Sequence, residues 1–207
     1  MKKIFFSLLT ISIIVFSACS NNITKKENEG HDVSKDTMQH AQTTDDKPLT
    51  EVAVTFTNVD AKAAAAVKSV IDSYLKVKNA LAADNGNDAA NAAEKMADEL
   101  KGVDKSFFTP EQRKVFDDNA DDLKEHAEHI GKNGNNIKHQ RSHFSMMSED
   151  IYDLAKAFGA GRPLYHYHCP MFNDGKGAMW LSEIKEVKNP YYGSEMPTCG
   201  SVEEVIK

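Results

Sequence analysis

The 207-residue chain lacks the signatures that most readily betray an enzyme: there is no His-Glu-x-x-His, no Gly-x-Ser-x-Gly and no phosphate loop. It also lacks a positive balance. With 25 Lys and Arg against 31 Asp and Glu its formal charge is −6, which argues against nucleic acid, whose phosphates attract cationic side chains. Metal ions and other cationic partners suit that balance. No apolar run reaches the ~20 residues that a membrane-spanning helix needs. Cysteine is scarce as well, at three residues, so one pair is the most the chain can form.

What is present begins with a leader. Lys2 and Lys3 precede an apolar run from Ile4 to Phe16, followed by Ser17, Ala18 and Cys19. This pattern reads as a secretory signal over residues 1–18, and small residues ahead of a cysteine resemble the lipobox of bacterial lipoproteins. Phe16 stands where that motif usually has Leu. The expectation is an exported lipoprotein cleaved before Cys19, with the Cys19 thiol fatty-acylated as by palmitate. That places the protein in the cell envelope, lipid-anchored to a membrane and facing the periplasm or the cell surface. Removing residues 1–18 takes away two lysines and no acid, which moves the formal charge from −6 to −8.

Residues 19–57 carry the anchor site and a polar stretch with almost nothing to bury, which reads as a flexible linker. Residues 58–207 then form one domain with a core of its own. Val67, Val70, Ile71, Tyr74, Val77 and Leu81 make a first helical stripe that ends at the turn-rich residues 83–88. Ala89, Ala93, Met96, Leu100 and Val103 make a second, with small side chains suited to close helix approach. Thr109 before Pro110 is a start signal for a third, through Val115, Phe116, Leu123, Ala127 and Ile130. The Gly/Asn turn at 131–136 should fold a fourth helix back antiparallel, with Ile137, Phe144, Met147, Ile151, Leu154 and Phe158 closed by Gly159. These four helices predict an all-α antiparallel bundle. From about residue 161 no helical period survives beyond a short turn near Met179 to Ile184, so the C-terminal part is expected to be a loop-rich Cys/Met/His cap.

That cap concentrates the chemistry. Tyr165-His166-Tyr167-His168-Cys169-Pro170-Met171 packs two imidazoles, a thiol and a thioether together, and Met196 with Cys199 adds a second sulfur pair. Thiolate and thioether are soft donors that favour Cu(I), and imidazole suits copper and zinc alike. A site drawing on Cys169, Met171, Met196 and Cys199, with His166 or His168, would offer the low coordination number that Cu(I) accepts. Two alternatives stay open. A disulfide between Cys169 and Cys199 would close a thirty-residue loop, worth ~3–4 kcal/mol in the chain-entropy model. The other alternative makes Cys169, beside His168, an activated nucleophile. A second cluster lies on the predicted hairpin: His126 and His129 on one helix, His139 and His143 on the next, each pair sharing a face. Glu125 and Glu128 lie nearby, but no complete Glu-x-x-His diiron pattern accompanies them.

Taken in order, HQRSHFSMMSEDI, AFG, YHYHCPM, GAMWLS and NPYYGSEMPTCG from His139 to Gly200 resemble a domain of unknown function found in exported bacterial lipoproteins and at the end of some copper and silver efflux membrane-fusion proteins. The resemblance implies heavy-metal handling and resistance. It carries Cys169, Met171, Met196 and Cys199, with His139 and His143, onto this chain as metal residues. The tail is also similar to short Cys-Pro-Met heavy-metal modules, with Met-Pro-Thr-Cys-Gly standing for Cys-Pro-x-Cys-Gly. Arg141, Trp180 and Asn189-Pro190 read as architecture: Arg141 pairing with an acid, Trp180 packing and Asn189 to Gly193 turning tightly. The functional expectation is a non-catalytic, periplasm-facing lipoprotein that binds a soft metal ion, Cu(I) first with zinc or silver behind it. It would buffer the ion or pass it to an efflux membrane-fusion protein. The competing expectation is a disulfide-closed interaction module of the envelope without metal.

Overall fold

A computed structural model describes residues 48–207; the leader and the acylation expected at Cys19 lie outside them. The helices start and stop where capping chemistry dictates. α1 (Ala61–Ala82) opens with the Asp60 carboxylate accepting from Lys62 N at 2.7 Å. α2 (Gly86–Lys101) opens with the Asn85 side chain accepting from Asp88 N at 3.0 Å. α3 (Pro110–Lys132) has a full capping box between Thr109 and Gln112, with proline in its first turn. α4 (Ile137–Phe158) is capped by Asn136 and stops at Gly159, whose φ of +69° favours glycine.

Each helix packs on the next and α1 closes against α4. The expected stripes face inward: Val67, Val70, Ile71, Tyr74, Val77 and Leu81 are fully buried, as are Phe116, Leu123, Ala127, Ile130, Phe144, Met147, Ile151 and Leu154. Burial of this apolar surface is what holds the bundle together.

The all-α expectation fails in the C-terminal part, where a four-stranded sheet makes the protein α/β. β1 (Thr50–Val52) lies within the stretch read as linker. β2 (Leu164–Cys169), a single turn α5 (Phe172–Gly175), β3 (Ala178–Ser182) and β4 (Ser201–Ile206) replace the expected loop-rich cap and the short turn near Met179. The sheet order is β1-β4-β2-β3, with β1 parallel to β4 and the other pairs antiparallel. A register irregularity between His166 and Tyr167 breaks the strict alternation of β2.

The sheet is fastened to the bundle by buried polar ties as well as by packing. Leu181 N donates to the Tyr74 hydroxyl at 3.0 Å, the Tyr74 hydroxyl pairs with Ser148 Oγ at 2.9 Å, and Ser148 Oγ donates to Phe144 O. The fully buried Lys78 reaches Ser182 Oγ at 3.1 Å and Glu183 at 2.8 Å. Burial holds its ammonium pKa below the usual lysine range against the opposing pull of Glu183.

Candidate metal centres

The sulfur cluster is assembled by two turns. β2 delivers Cys169 to the core at its C-terminal end, paired with Ala178 of β3. The loop from Asn189 delivers Cys199 just before β4. Asn189 is buried and organises that loop: its Oδ1 accepts from Tyr191 N at 2.7 Å and Tyr192 N at 3.2 Å, while its Nδ2 donates to Cys199 O at 2.6 Å. Asn189 N donates to Pro197 O and Cys199 N to Met196 O. Gly200, at φ +133°, lies against the Trp180 ring, where a Cβ would come within 2.6 Å of the indole. The NPYYGSEMPTCG sequence thus forms the turn that sets Cys199 Sγ 2.9 Å from Cys169 Sγ.

Both thiols are free. Cys169 is fully buried and Cys199 partly exposed. Burial, then the hydrogen bond and charge of Cys169, push the Cys199 thiol up to about 11. Met171 is 56% exposed, rare for a large apolar side chain among the described residues, and its carbonyl accepts from the Tyr192 hydroxyl at 2.8 Å. Met196 is half-buried one turn before Cys199. The lip therefore presents one sealed thiol, one accessible thiol and a solvent-facing thioether.

His166 and His168 belong elsewhere. They face Glu203 and Glu204 of β4, with His166 Nδ1 3.5 Å from Glu203 Oε2 and His168 Nδ1 3.8 Å from Glu203 Oε1. Tyr167 and Cys169 take the other, core-facing side of β2. Alternation along a strand accounts for the separation. The His166 ring rests on Tyr152, whose hydroxyl donates to Glu204. Burial lowers the His166 pKa, and Glu204 and Glu203 pull it back up.

The antiparallel turn at 133–136 does bring the hairpin histidines together. His126 Nδ1 and His143 Nδ1 are 3.2 Å apart, the His129 and His143 rings stack with centroids 4.3 Å apart, and His139 meets His143 edge-on at 4.5 Å. Burial, then the neighbouring His129, His139 and His126, hold the His143 pKa down to about 4. His126 is lowered too, by burial first. Lower in the same groove, burial and then Asp122, Glu149 and Asp153 raise Asp150 to about 6.

The sulfurs and the hairpin histidines lie on opposite sides of α4. Arg141, two residues on from His139 and hence about 200° round the helix, points to the C-terminal part: its Nε donates to Pro190 O at 2.8 Å and its guanidinium pairs with Asp84 at 2.6 Å. Arg141 thus pairs with an acid, Trp180 is fully buried, and Asn189 turns tightly back through Gly193 N to Asn189 O at 3.0 Å, each as the sequence suggests. The sequence did not reveal Tyr74, Lys78 and Ser148 as the ties that hold the sheet in place, since side-chain bonds across such separations leave no local signal.

A family model described as a protein of unknown function (DUF3347) matches residues 70–162. This domain spans most of α1, all of α2 to α4 and the four hairpin histidines, and ends just before β2. No curated protein and no solved structure matches the chain.

Proposed function

We propose that this protein is a soft-metal-binding lipoprotein of the cell envelope, non-catalytic, which holds Cu(I) at the lip formed by Cys169, Cys199, Met171 and Met196 and yields it to an efflux partner. The observation that carries the reading is the sulfur pair: two thiols thirty residues apart, brought to 2.9 Å by a dedicated turn, beside an exposed methionine. Soft donors favour a soft ion. The Cys199 proton, held tightly in the metal-free protein, leaves when the metal enters, so uptake releases protons and acid favours release. Thioethers remain neutral throughout. A binder that must hand its ion on gains from weak, exchangeable ligands, and Met171 at the surface is placed for that. The signal-like leader with Cys19 supports the envelope setting, and the resemblance to efflux-associated chains supports the choice of partner.

A second reading has an observation of its own. Cys169 is sealed from solvent and abuts Cys199, so an oxidant would join them and staple β2 to the segment leading into β4, leaving an interaction module without metal. Thiol counting separates the two. Under anaerobic mild reduction the chain lacking residues 1–19 should show two titratable thiols and bind one Cu(I) against a competing chelator. Cys199→Ala combined with Met171→Ala should abolish that binding while melting as a folded protein. A disulfide that forms during export and resists mild reduction, with equal weak binding by both proteins, would overturn the metal reading.

A further inference from the structure

Four imidazoles converge on the face of the α3–α4 hairpin turned away from the sulfurs. One ring nitrogen from each of His129, His139 and His143 lies within 4.8 Å of the others. His126 Nδ1 stands 3.2 Å from His143 Nδ1, close to the roughly 3.3 Å edge of a tetrahedron with metal–nitrogen bonds of about 2.05 Å. His129, His139 and His143 would reach that spacing by turning their half-exposed rings inward.

An architectural role accounts poorly for this cluster. Histidines that serve packing find a carbonyl or carboxylate for each ring N–H. Among the described residues, the side-chain hydrogen bond these four rings make is the one between His126 and His143, and the nearest carboxylate is Glu125, 3.9 Å from His129. The frame beneath them, by contrast, is fixed. Gln140, fully buried between His139 and Arg141, donates to Ile130 O at 3.1 Å and Gly86 O at 2.9 Å, tying α4 to the end of α3 and the start of α2. Asn133 Nδ2 donates to His129 O, and Asn136 caps the turn that carries His139. Gly131 fits closely against Glu94 of α2. The backbone that carries the rings is held in place, while the half-exposed rings keep the freedom to close on an ion.

We infer that His129, His139 and His143, with His126 alongside as a fourth donor, form a second metal site, which takes a borderline divalent ion of the Cu(II) or Zn(II) kind independently of the thiol–thioether lip. Neutral imidazoles suit such ions and not Mg or Ca, and among the first-row divalent ions Cu(II) is held tightest. Three or four protein donors on two helices leave room for exchange at the solvent side, where His129 is 46% exposed. The site shares no residue with the proposed Cu(I) lip, and either can exist without the other.

Co(II) is the probe, because it is not reduced by thiols and its visible spectrum distinguishes nitrogen from sulfur ligands. The chain lacking residues 1–19, free of any histidine tag, should bind one Co(II) with d–d absorption and no thiolate charge-transfer band, and Zn(II) should displace it. His139→Gln should weaken binding by about tenfold or more, on the scale set by disturbing a metal ligand's surroundings. His129→Gln, at the exposed edge, should do the same with an unchanged melting temperature in the metal-free protein. Both variants should keep the native response to Cu(I). No d–d absorption in the native chain, an unaltered spectrum in the folded His129→Gln protein, or a thiolate band showing Co(II) at the cysteines would each overturn the assignment.

Discussion

The two sides of α4 are built by opposite rules. Toward the sheet, buried polar side chains tie one element to another: Ser148 links Tyr74 to the Phe144 carbonyl, Arg141 bridges Asp84 and Pro190, and Lys78 meets Ser182 and Glu183. Toward α3, His139 and His143 face other imidazoles, and Asp150 lies among like charges. A satisfied buried group reports on architecture, because losing its partner costs the desolvation it had offset. Half-exposed imidazoles that converge on one another carry no such architectural tie and keep their ring nitrogens open to a ligand. The difference between the two sides is therefore energetic, and mutations should expose it.

The largest effect belongs to the sheet side. Trp180→Ala empties the site of a fully buried indole stacked on Tyr167 and should cost about 3–5 kcal/mol, measured by denaturant melts. Trp180→Phe should cost markedly less, since the indole Nε1 has no hydrogen-bond partner to lose. Tyr74→Phe comes next: it strands the buried Leu181 N–H and should cost about 1–3 kcal/mol without changing metal binding.

The two sides should also part company in acid. His143 titrates near 4 when folded, against an ordinary 6.5. Because its folded pKa is depressed, its contribution to stability is complete above about 6.5 and is lost as the pH falls toward 4. Asp84 is depressed as well, to about 2, first through Ser194 and then Arg141. Its contribution is complete above about 3.8 and fades only as the pH falls toward 2. Asp150 acts in the other sense, since a raised carboxyl pKa returns stability as the pH falls from about 6. The readout is therefore the difference between metal-free native protein and His143→Gln. That difference should change between about pH 6.5 and 4, whereas for Asp84→Asn it should change only below about 4. A His143→Gln difference flat over its window would erase the contrast.

The smallest structural effect should come from Met171→Ala. At an exposed position it should shift stability by less than about 0.5 kcal/mol while weakening Cu(I) binding measurably in a chelator competition. A large loss of stability would make Met171 a packing residue and remove the thioether from the lip.

The four helices could be read from the sequence because each carries its own apolar stripe and cap, information confined to one segment. β2 could not: its buried positions, Leu164, Tyr167 and Cys169, change phase at the irregularity after His166, so no period-two signal survives six residues. β1 was lost for a different reason, since Thr50–Val52 becomes a strand only by pairing with Glu204–Ile206 at the far end of the chain. At the candidate sites, Cys169 and Cys199 stand out as the pair left beside Cys19, and the meeting of the two histidine pairs follows from their helical spacing and the turn between them. The exclusion of His166 and His168 from the sulfur lip did not, because it depends on recognising the strand whose two faces part them.

Whether the proposed sulfur lip takes Cu(I) is read by X-ray absorption at the copper edge of the Cu(I)-loaded chain. The ion should sit in a shell of sulfur atoms that thins in Cys199→Ala and is unchanged in His139→Gln. A shell of nitrogen atoms alone, lost in His139→Gln, would contradict it.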